Sequence, residues 1–464
     1  MVKSIKEIGY IGTYCVALFL LLCLLVALAK YTMPQAPVVL LFSCIMTGAL
    51  WFVRKKNMPT VSDKSFWIGV LTLLAVTFLA EAYIVNYLPF EWATDPELCK
   101  AQAEYMLTTW ELKPDTADYF YMYPYNISIQ VVLGALYRLL GDYNYVIYVF
   151  LLWVNLSSLL ACLTVRNLTG SNGASLLTLL LLQVFCIFTT RTYMPYTSNL
   201  ALLFPIMMVY VYTTKLSATK KSILIPLIAS IGWQAKLTSL IAFIAIVIIE
   251  GIRYVLNRKR YTRKEISVAV LSTIISFVLC ASIKTLCWNG LNYQQDDNRV
   301  KGFAYYLYLG QNTKSGGQWD EEYVNNGTLI APSVEREVFY FSVAKRDFTE
   351  RGILGNIKFY FAKSTICWGC TYQDYTRFYG KDTNWVFTLR HCIWFFVFAC
   401  AMLSVFVKRN RYMLSMILTL TGVMIYLFLS EGSFTYVIMF SPVLFAMAGI
   451  TIARIATKTK NASA

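Results

Sequence analysis

The sequence predicts an all-α polytopic membrane protein, and three observations carry that expectation. Apolar residues make up 58% of the 464-residue chain and charged residues only 14%, too little polar surface for a soluble domain of this length. Mean hydropathy is +0.54, and apolar runs recur at close to the ~20 residues a helix needs to cross hydrocarbon. Lys and Arg fall in short clusters between those runs. The net charge of +16 therefore reads as an orientation signal, and no nucleic-acid partner is expected.

Taken in order, spans are expected near 9–29, 37–53, 66–87, 144–165, 173–190, 199–214, 222–235, 237–250, 265–286, 384–407, 412–430 and 434–454. The first is too long for a cleaved leader and lacks a small-residue cleavage pattern. Basic clusters at 3–6, 54–56, 215–221, 258–264, 408–411 and 454–460 all fall on one side if about twelve helices cross and both termini are cytoplasmic. Eleven crossings break that sorting. Cys15, Cys23, Cys44, Cys162, Cys186, Cys280 and Cys400 lie inside expected spans, where they act as small hydrophobes.

The chain then divides into the first three spans at 1–88, an acidic extracytoplasmic loop with an interfacial helix at 89–143, and a bundle at 144–286. A large extracytoplasmic segment follows at 287–383, and the last three spans and a cytoplasmic tail at 384–464. Residues 127–141 are apolar on one face and too short to cross comfortably, which suits a helix in the interface. No internal repeat is evident, which weakens a transporter of two related halves.

The stretch 89–126 gathers Glu91, Asp95, Glu97, Glu104, Glu111, Asp115 and Asp118, then ends in Tyr119, Phe120, Tyr121, Tyr123 and Tyr125. Carboxylates at a membrane surface form either a solvated loop or the acid/base part of a site. The runs 222–235 and 237–250 flank Trp233-Gln234-Ala235-Lys236. Either a short hairpin presents Lys236 at its tip, or one long tilted helix lets it snorkel. The hairpin is preferred, because one helix would reverse every later basic loop.

An early span, an acidic first outer loop, a tyrosine-rich YPYN, a lysine at a short-helix tip and a long outer segment occur here in that order. That order resembles the integral-membrane glycosyltransferases of the GT-C fold, the group of protein O-mannosyltransferases and lipid A aminoarabinose transferases. The likeness rests on TDPELCKAQA at 94–103, YPYN at 123–126, GWQAKLTS at 232–239, YYLYLGQNTKSGGQWDEE at 305–322, KSTICWG at 363–369 and SEGSFTYVIMFSP at 430–442. It implies a GT-C-like bundle that moves a sugar from a polyprenyl-phosphate donor to a glycan or other hydroxyl acceptor, at the extracytoplasmic face of the cell membrane. The chain departs from the pattern at Tyr305, where members often have His, and at Thr435, where they have Arg before Tyr436. The two short spans before the third are also additional to the simplest family plan.

Such a transfer needs a base for the acceptor proton and cations for the leaving phosphate. Asp95 is the expected base, with plain helix capping as its structural alternative and Glu97 in reserve. Lys236, Arg191 and Lys363 are the expected phosphate-binding cations. The alternatives are snorkelling or an ion pair for Lys236 and an interfacial anchor for Arg191. Lys363 and Trp368 lie on an amphipathic stretch expected to return to the membrane surface, where Trp368 would either stack on substrate or anchor. Gln102, Tyr123, Asn126, Gln311 and Glu431 complete the expected substrate contacts.

No cofactor is expected. Asp296-Asp297 and Asp320-Glu321-Glu322 lack metal-ligand spacing, and no Walker loop or dinucleotide fingerprint occurs. His391 falls inside an apolar span and reads as structural, while Cys367-x-x-Cys370 has no thioredoxin-like setting. The competing functions are a flippase or exporter of lipid-linked saccharides, or a polymerase that joins them.

Overall fold

The computed structural model describes residues 2–31, 35–56, 61–87, 94–189, 194–256, 262–296, 299–320, 333–369, 384–407 and 410–456. Every regular element among them is helical. The helices are α1 (Val2–Tyr31), α2 (Ala36–Lys56), α3 (Asp63–Tyr87), α4 (Thr94–Tyr105), α5 (Pro114–Met122) and α6 (Ile127–Leu140). Then come α7 (Tyr143–Thr169), α8 (Asn172–Ile187), α9 (Thr197–Thr213), α10 (Ala218–Ala235), α11 (Leu240–Leu256) and α12 (Arg263–Gly290). The last are α13 (Phe303–Gln311), α14 (Ser333–Trp368), α15 (Asn384–Val407), α16 (Arg411–Leu429), α17 (Phe434–Ile438) and α18 (Ser441–Ala456).

Among the described residues, eight helices are long and apolar enough to cross a membrane, and α8, α9 and α18 are shorter apolar helices. This is a polytopic helical membrane protein. Each expected span coincides with helix, with one difference at the end of the chain. The run 434–454 is broken at Met439-Phe440 into α17 and α18.

α18 is the hub of the bundle. All its residues from Ser441 to Ala453 are buried. It packs on α15, α7, α8, α2 and α9. Between helices in lipid there is little hydrophobic drive, so close packing over small side chains supplies the attraction. Gly449 shows how close: a Cβ there would lie 2.0 Å from Thr178 Oγ1 on α8. The outer faces of α1, α2, α3 and α12 expose Leu25, Leu41, Leu71 and Leu279, which suits lipid contact.

Two ends of the bundle can be told apart by their contacts. Lys221 of α10 donates to the carbonyls of Tyr212 and Thr214 at the end of α9 (2.8 and 2.6 Å), and Arg411 of α16 reaches Glu250 of α11 at 3.4 Å. The same end of the bundle holds the Arg166–Asp63 pair (2.8 Å). The opposite end carries α4, α5, α6, α13 and the first half of α14.

The helical run breaks at Lys236. Its backbone is extended (φ −164°, ψ 131°), and a single 3-10 turn, Leu237–Ser239, leads into α11. Since α10 rises to this point and α11 returns to Glu250 beside Tyr212, the two form the hairpin and not one tilted helix.

α14 departs from expectation. It kinks at Gly352 (φ 60°), after which its second half descends among the spans. The Phe361 ring meets Phe19 of α1 at 5.8 Å, and the Trp368 carbonyl accepts from Trp394 Nε1 of α15 at 2.7 Å. Phe19 and Trp394 lie well inside their helices, so 353–368 dips into the bundle and does not return along its surface. An amphipathic composition fits both placements equally. Only the packing separates them.

Candidate functional site

Asp95 lies in the first turn of α4, not at its cap, because the helix begins at Thr94. The 94–122 arm is folded by Gln102, which is fully buried. Its Oε1 accepts from the Lys113 amide (2.8 Å) and Thr116 Oγ1 (3.2 Å), and its Nε2 donates to the Glu111 carbonyl (2.8 Å). A buried amide must pair its polar groups, and here the backbone of Glu111 and Lys113 and the Thr116 hydroxyl take them. Gln102 thus shapes the arm and does not face a ligand.

A chain of hydroxyls leads from the YPYN turn to Asp95. Asn126 Nδ2 donates to Tyr119 Oη at 2.7 Å, Tyr119 Oη meets Tyr196 Oη at 3.2 Å, and Tyr196 Oη donates to Asp95 Oδ2 at 3.1 Å. Each phenol has one hydrogen to give. With Tyr196 donating to the carboxylate, Tyr119 must donate to Tyr196, so the order runs one way toward Asp95. Burial, and then the nearby Asp95 charge, pushes the Tyr196 hydroxyl well above its ordinary range, and burial does the same for Tyr119. Both remain donors at neutral pH.

Lys236 approaches the ring of the same tyrosine. Its Nζ donates to Ser198 Oγ at 3.2 Å and lies 6.0 Å from the Tyr196 ring and 4.6 Å from the Tyr436 ring. Tyr196 therefore stands between a carboxylate and an ammonium. The hairpin tip, the start of α9 and the first turn of α4 converge there. Nothing in the sequence singles out Tyr196 for this place.

A second cation was not foreseen. Lys301 is 8% exposed, with Nζ 3.1 Å from Tyr123 Oη and 3.4 Å from Tyr305 Oη. Its amide donates to the Met122 carbonyl (3.0 Å), which ties the segment before α13 to the YPYN turn. Burial pushes its ammonium down to about 8, Arg336 adds to that, and Asp95 opposes it. Tyr123 is pushed up to about 12 by burial first, with the charges of Asp95 and Glu431 contributing. Tyr125 and Tyr306 are joined hydroxyl to hydroxyl beside it. No signal in sequence marks Lys301, because it lies before Gly302, the N-cap of α13, outside the helix that carries Tyr305.

Several expected residues lie elsewhere. Lys363 is 1% exposed and donates to the carbonyls of Gly310 (2.7 Å) and Ser430 (2.5 Å). Its stem fills a slot that only glycine leaves open, since a Cβ on Gly317 or Gly432 would stand 2.8 or 2.9 Å from its Cε. It pins α14 to the last turn of α13 and to the C-cap of α16, and is not placed to bind a lipid phosphate. Trp368 is fully buried against Phe398, so it cannot stack on a sugar. Gln311 donates to the Phe428 carbonyl (3.0 Å) and accepts from Tyr360 (3.0 Å). Arg351 donates to the Gln311 carbonyl at 2.6 Å. This too is a structural knot.

Glu97 is exposed on α4, and Asn126 acts on Asp95 only through Tyr119 and Tyr196. Thr435, where the resemblance expects Arg, accepts from Ser433 Oγ at 3.1 Å. Arg191, Asp297, Glu321, Glu322 and Cys370 lie outside the described residues. Among the described residues no group of three or more His, Cys, Asp or Glu is placed to hold a metal. The arrangement offers a carboxylate to accept a proton, two ammonium groups to meet an anion, and tyrosine faces and hydroxyls between them.

A family model described as a conserved hypothetical integral membrane protein matches residues 25–368, and the chain belongs to that family. The matched region contains Asp95, Tyr196, Lys236 and Lys301. No curated protein matches the chain.

Proposed function

We propose that this integral membrane family member is a glycosyltransferase that moves a sugar from a polyprenyl-phosphate donor to a hydroxyl on a cell-envelope glycan or other acceptor. One observation carries the reading: Tyr196 stands between the Asp95 carboxylate and the Lys236 ammonium at one end of the bundle. Transfer to a hydroxyl requires a base and an electrophilic clamp on opposite sides of the reacting carbon.

In this account Asp95 takes the acceptor proton as the acceptor oxygen bonds to the anomeric carbon. The bond from that carbon to the phosphate oxygen breaks, and its electron pair leaves with the phosphate. Lys236 stabilises that growing charge, at the depth where two apolar helices meet the headgroups. Lys301 is the second cation and takes the part that the resemblance gives to Arg at position 435. The tyrosine faces and hydroxyls suit a sugar ring, which is apolar on its faces and polar on its rim. The basic loops sort to the cytoplasm, so this end faces the extracytoplasmic side of the cell membrane.

The test is mass analysis of cell-envelope glycans from cells with and without this protein. Loss of one sugar decoration is expected. Glycans unchanged in mass, with polyprenyl-linked saccharides shifted between leaflets, would replace transfer by transport.

A further inference from the structure

α3 is held to the bundle by few side chains. Its buried residues are Phe66, Val70, Thr77 and Glu81, while Leu71, Val76, Leu79 and Tyr83 face outward. Phe66 and Val70 make an apolar joint with Cys162 of α7 and Leu179 of α8, close to Arg166, whose guanidinium lies 4.5 Å from the Phe66 ring. Nearer Tyr87 the joint is polar. Glu81 is fully buried there, and among the described residues no Lys or Arg pairs with it. An ionisable side chain buried among spans is costly and rare, and by default it marks the place of an ion or a proton.

Two further spans meet Glu81. Asn155 of α7 gives its Nδ2 hydrogens to Glu81 Oε2 and to the Leu151 carbonyl, both at 2.9 Å, and its Oδ1 accepts from Gln183 Nε2 of α8 at 3.0 Å. Asn155 and Gln183 stand about 16 Å along their helices from Arg166 and Asn172, so this joint is well inside the bundle. Thr77 and Ser158 point their hydrogens elsewhere, to the carbonyls of Leu73 (2.7 Å) and Val154 (3.2 Å) on their own helices. Cys186, one turn after Gln183, lies against Ser158 and feels the Glu81 charge, which brings the Ser158 hydroxyl to the same place.

The hydrogen-bond count then leaves oxygen over. Glu81 Oε1 and Gln183 Oε1 are shut off from solvent with no partner, on side chains that are 0% and 1% exposed. A carboxylate oxygen and an amide oxygen both accept, so neither can satisfy the other. Leaving such groups unpaired is expensive. One positive charge set among them would relieve both and would neutralise the carboxylate.

We propose that Glu81, Gln183 and the Ser158 hydroxyl form a binding site for one monovalent metal cation of the sodium class, held between α3, α7 and α8. One carboxylate matches one positive charge, whereas a divalent ion would leave net charge buried. Amide and hydroxyl oxygens take the place of the water that the ion gives up. The bound ion draws the polar half of α3 onto its neighbours, as packing does for the apolar half. The site is separate from the Asp95 end and does not depend on what that end does.

The test uses the purified full-length protein in detergent at neutral pH, with sodium chloride exchanged for N-methylglucamine chloride at constant ionic strength. Sodium should raise the unfolding temperature saturably, and equilibrium dialysis against radioactive sodium should count one ion per chain. Glu81→Gln keeps the shape and removes the charge; it should unfold at or above the wild-type temperature without sodium and lose both the response and the bound ion. Gln183→Met should raise the sodium concentration needed by at least about tenfold, and it serves as the second variant if the first folds poorly. A sodium response that Glu81→Gln keeps would overturn the proposal. So would a wild type indifferent to sodium whose infrared spectrum shows a carboxylic-acid carbonyl band that Glu81→Gln removes, since the charge on Glu81 would then be met by a proton and not by a metal ion.

Discussion

The charges around Glu250 at one end of the bundle and those around Tyr196 and Tyr123 at the other have different partners, although the second end also holds the surface pairs Lys100–Glu104, Lys113–Asp115 and Arg299–Asp118. At the end that holds Arg411, Glu250 accepts both oxygens' worth of bonding from Arg253 (2.7 and 2.9 Å), a longer contact from Arg411 (3.4 Å), and the Tyr212 hydroxyl. Lys221 is held by two carbonyls and Arg166 by Asp63 and Asn172. Each of these charges is matched within the fold. At the other end Asp95 takes a hydrogen bond from Tyr196, and Lys301 lies between two tyrosine hydroxyls. Among the described residues neither makes an ion pair.

That contrast can be broken by mutation. The largest effect belongs to Asp95→Asn, which keeps shape and removes the base. Turnover should fall by about 10²–10⁴ with donor binding retained, as measured by sugar transfer and by donor titration. Near-normal transfer would return Asp95 to the solvated loop and pass its role to Glu97.

Next comes Tyr196→Phe. The ring stays beside Lys236 while the hydrogen bond to Asp95 is lost. Transfer should drop by about 10- to 100-fold, the worth of a hydrogen bond to a charged group, with kcat affected more than KM.

A smaller effect follows from Lys301. Its ammonium is pushed down to about 8, so it is charged below that pH and neutral above. Apparent affinity for a phosphate-linked donor should weaken as pH rises through about 8, and Lys301→Arg should flatten that slope. A wild-type profile that is already flat would take Lys301 out of the phosphate site.

The smallest effect on transfer is expected at the paired end. Glu250→Gln strands two arginines and should cost about 1–2 kcal/mol of stability, seen as a lower unfolding temperature with transfer per folded molecule unchanged. A loss of transfer there would dissolve the distinction between the ends.

Much of the fold was legible in sequence because a span is declared by about 20 apolar residues in a row. The break at Lys236 was legible for a related reason: two runs too short to be one crossing met at a charge. The site was legible only in part. Asp95 and Lys236 both approach Tyr196, whereas Gln102, Gln311, Lys363 and Trp368 were taken by internal packing. A polar residue in sequence does not say whether its partner is a ligand or a carbonyl forty residues away. Arg351 on Gln311 and Lys363 on Gly310 are contacts of that kind. Lys301 was missed for the converse reason, since nothing in NRVKGF announces that Tyr123 will fold over it.

The central claim is that the end of the bundle that holds Asp95, Lys236 and Lys301 carries out sugar transfer from a lipid phosphate, and one measurement reaches it directly. Radiolabelled sugar is offered on a panel of synthetic polyprenyl phosphates, with envelope extract as acceptor, to purified wild-type protein and to Lys236→Met. That substitution keeps the apolar stem and removes only the charge, so insertion should survive. The account predicts transfer by wild type from at least one donor, and a fall of about 10²–10³ in kcat for Lys236→Met, the loss typical of one transition-state partner. Equal rates for the two proteins, or no transfer by wild type from any donor, would contradict it.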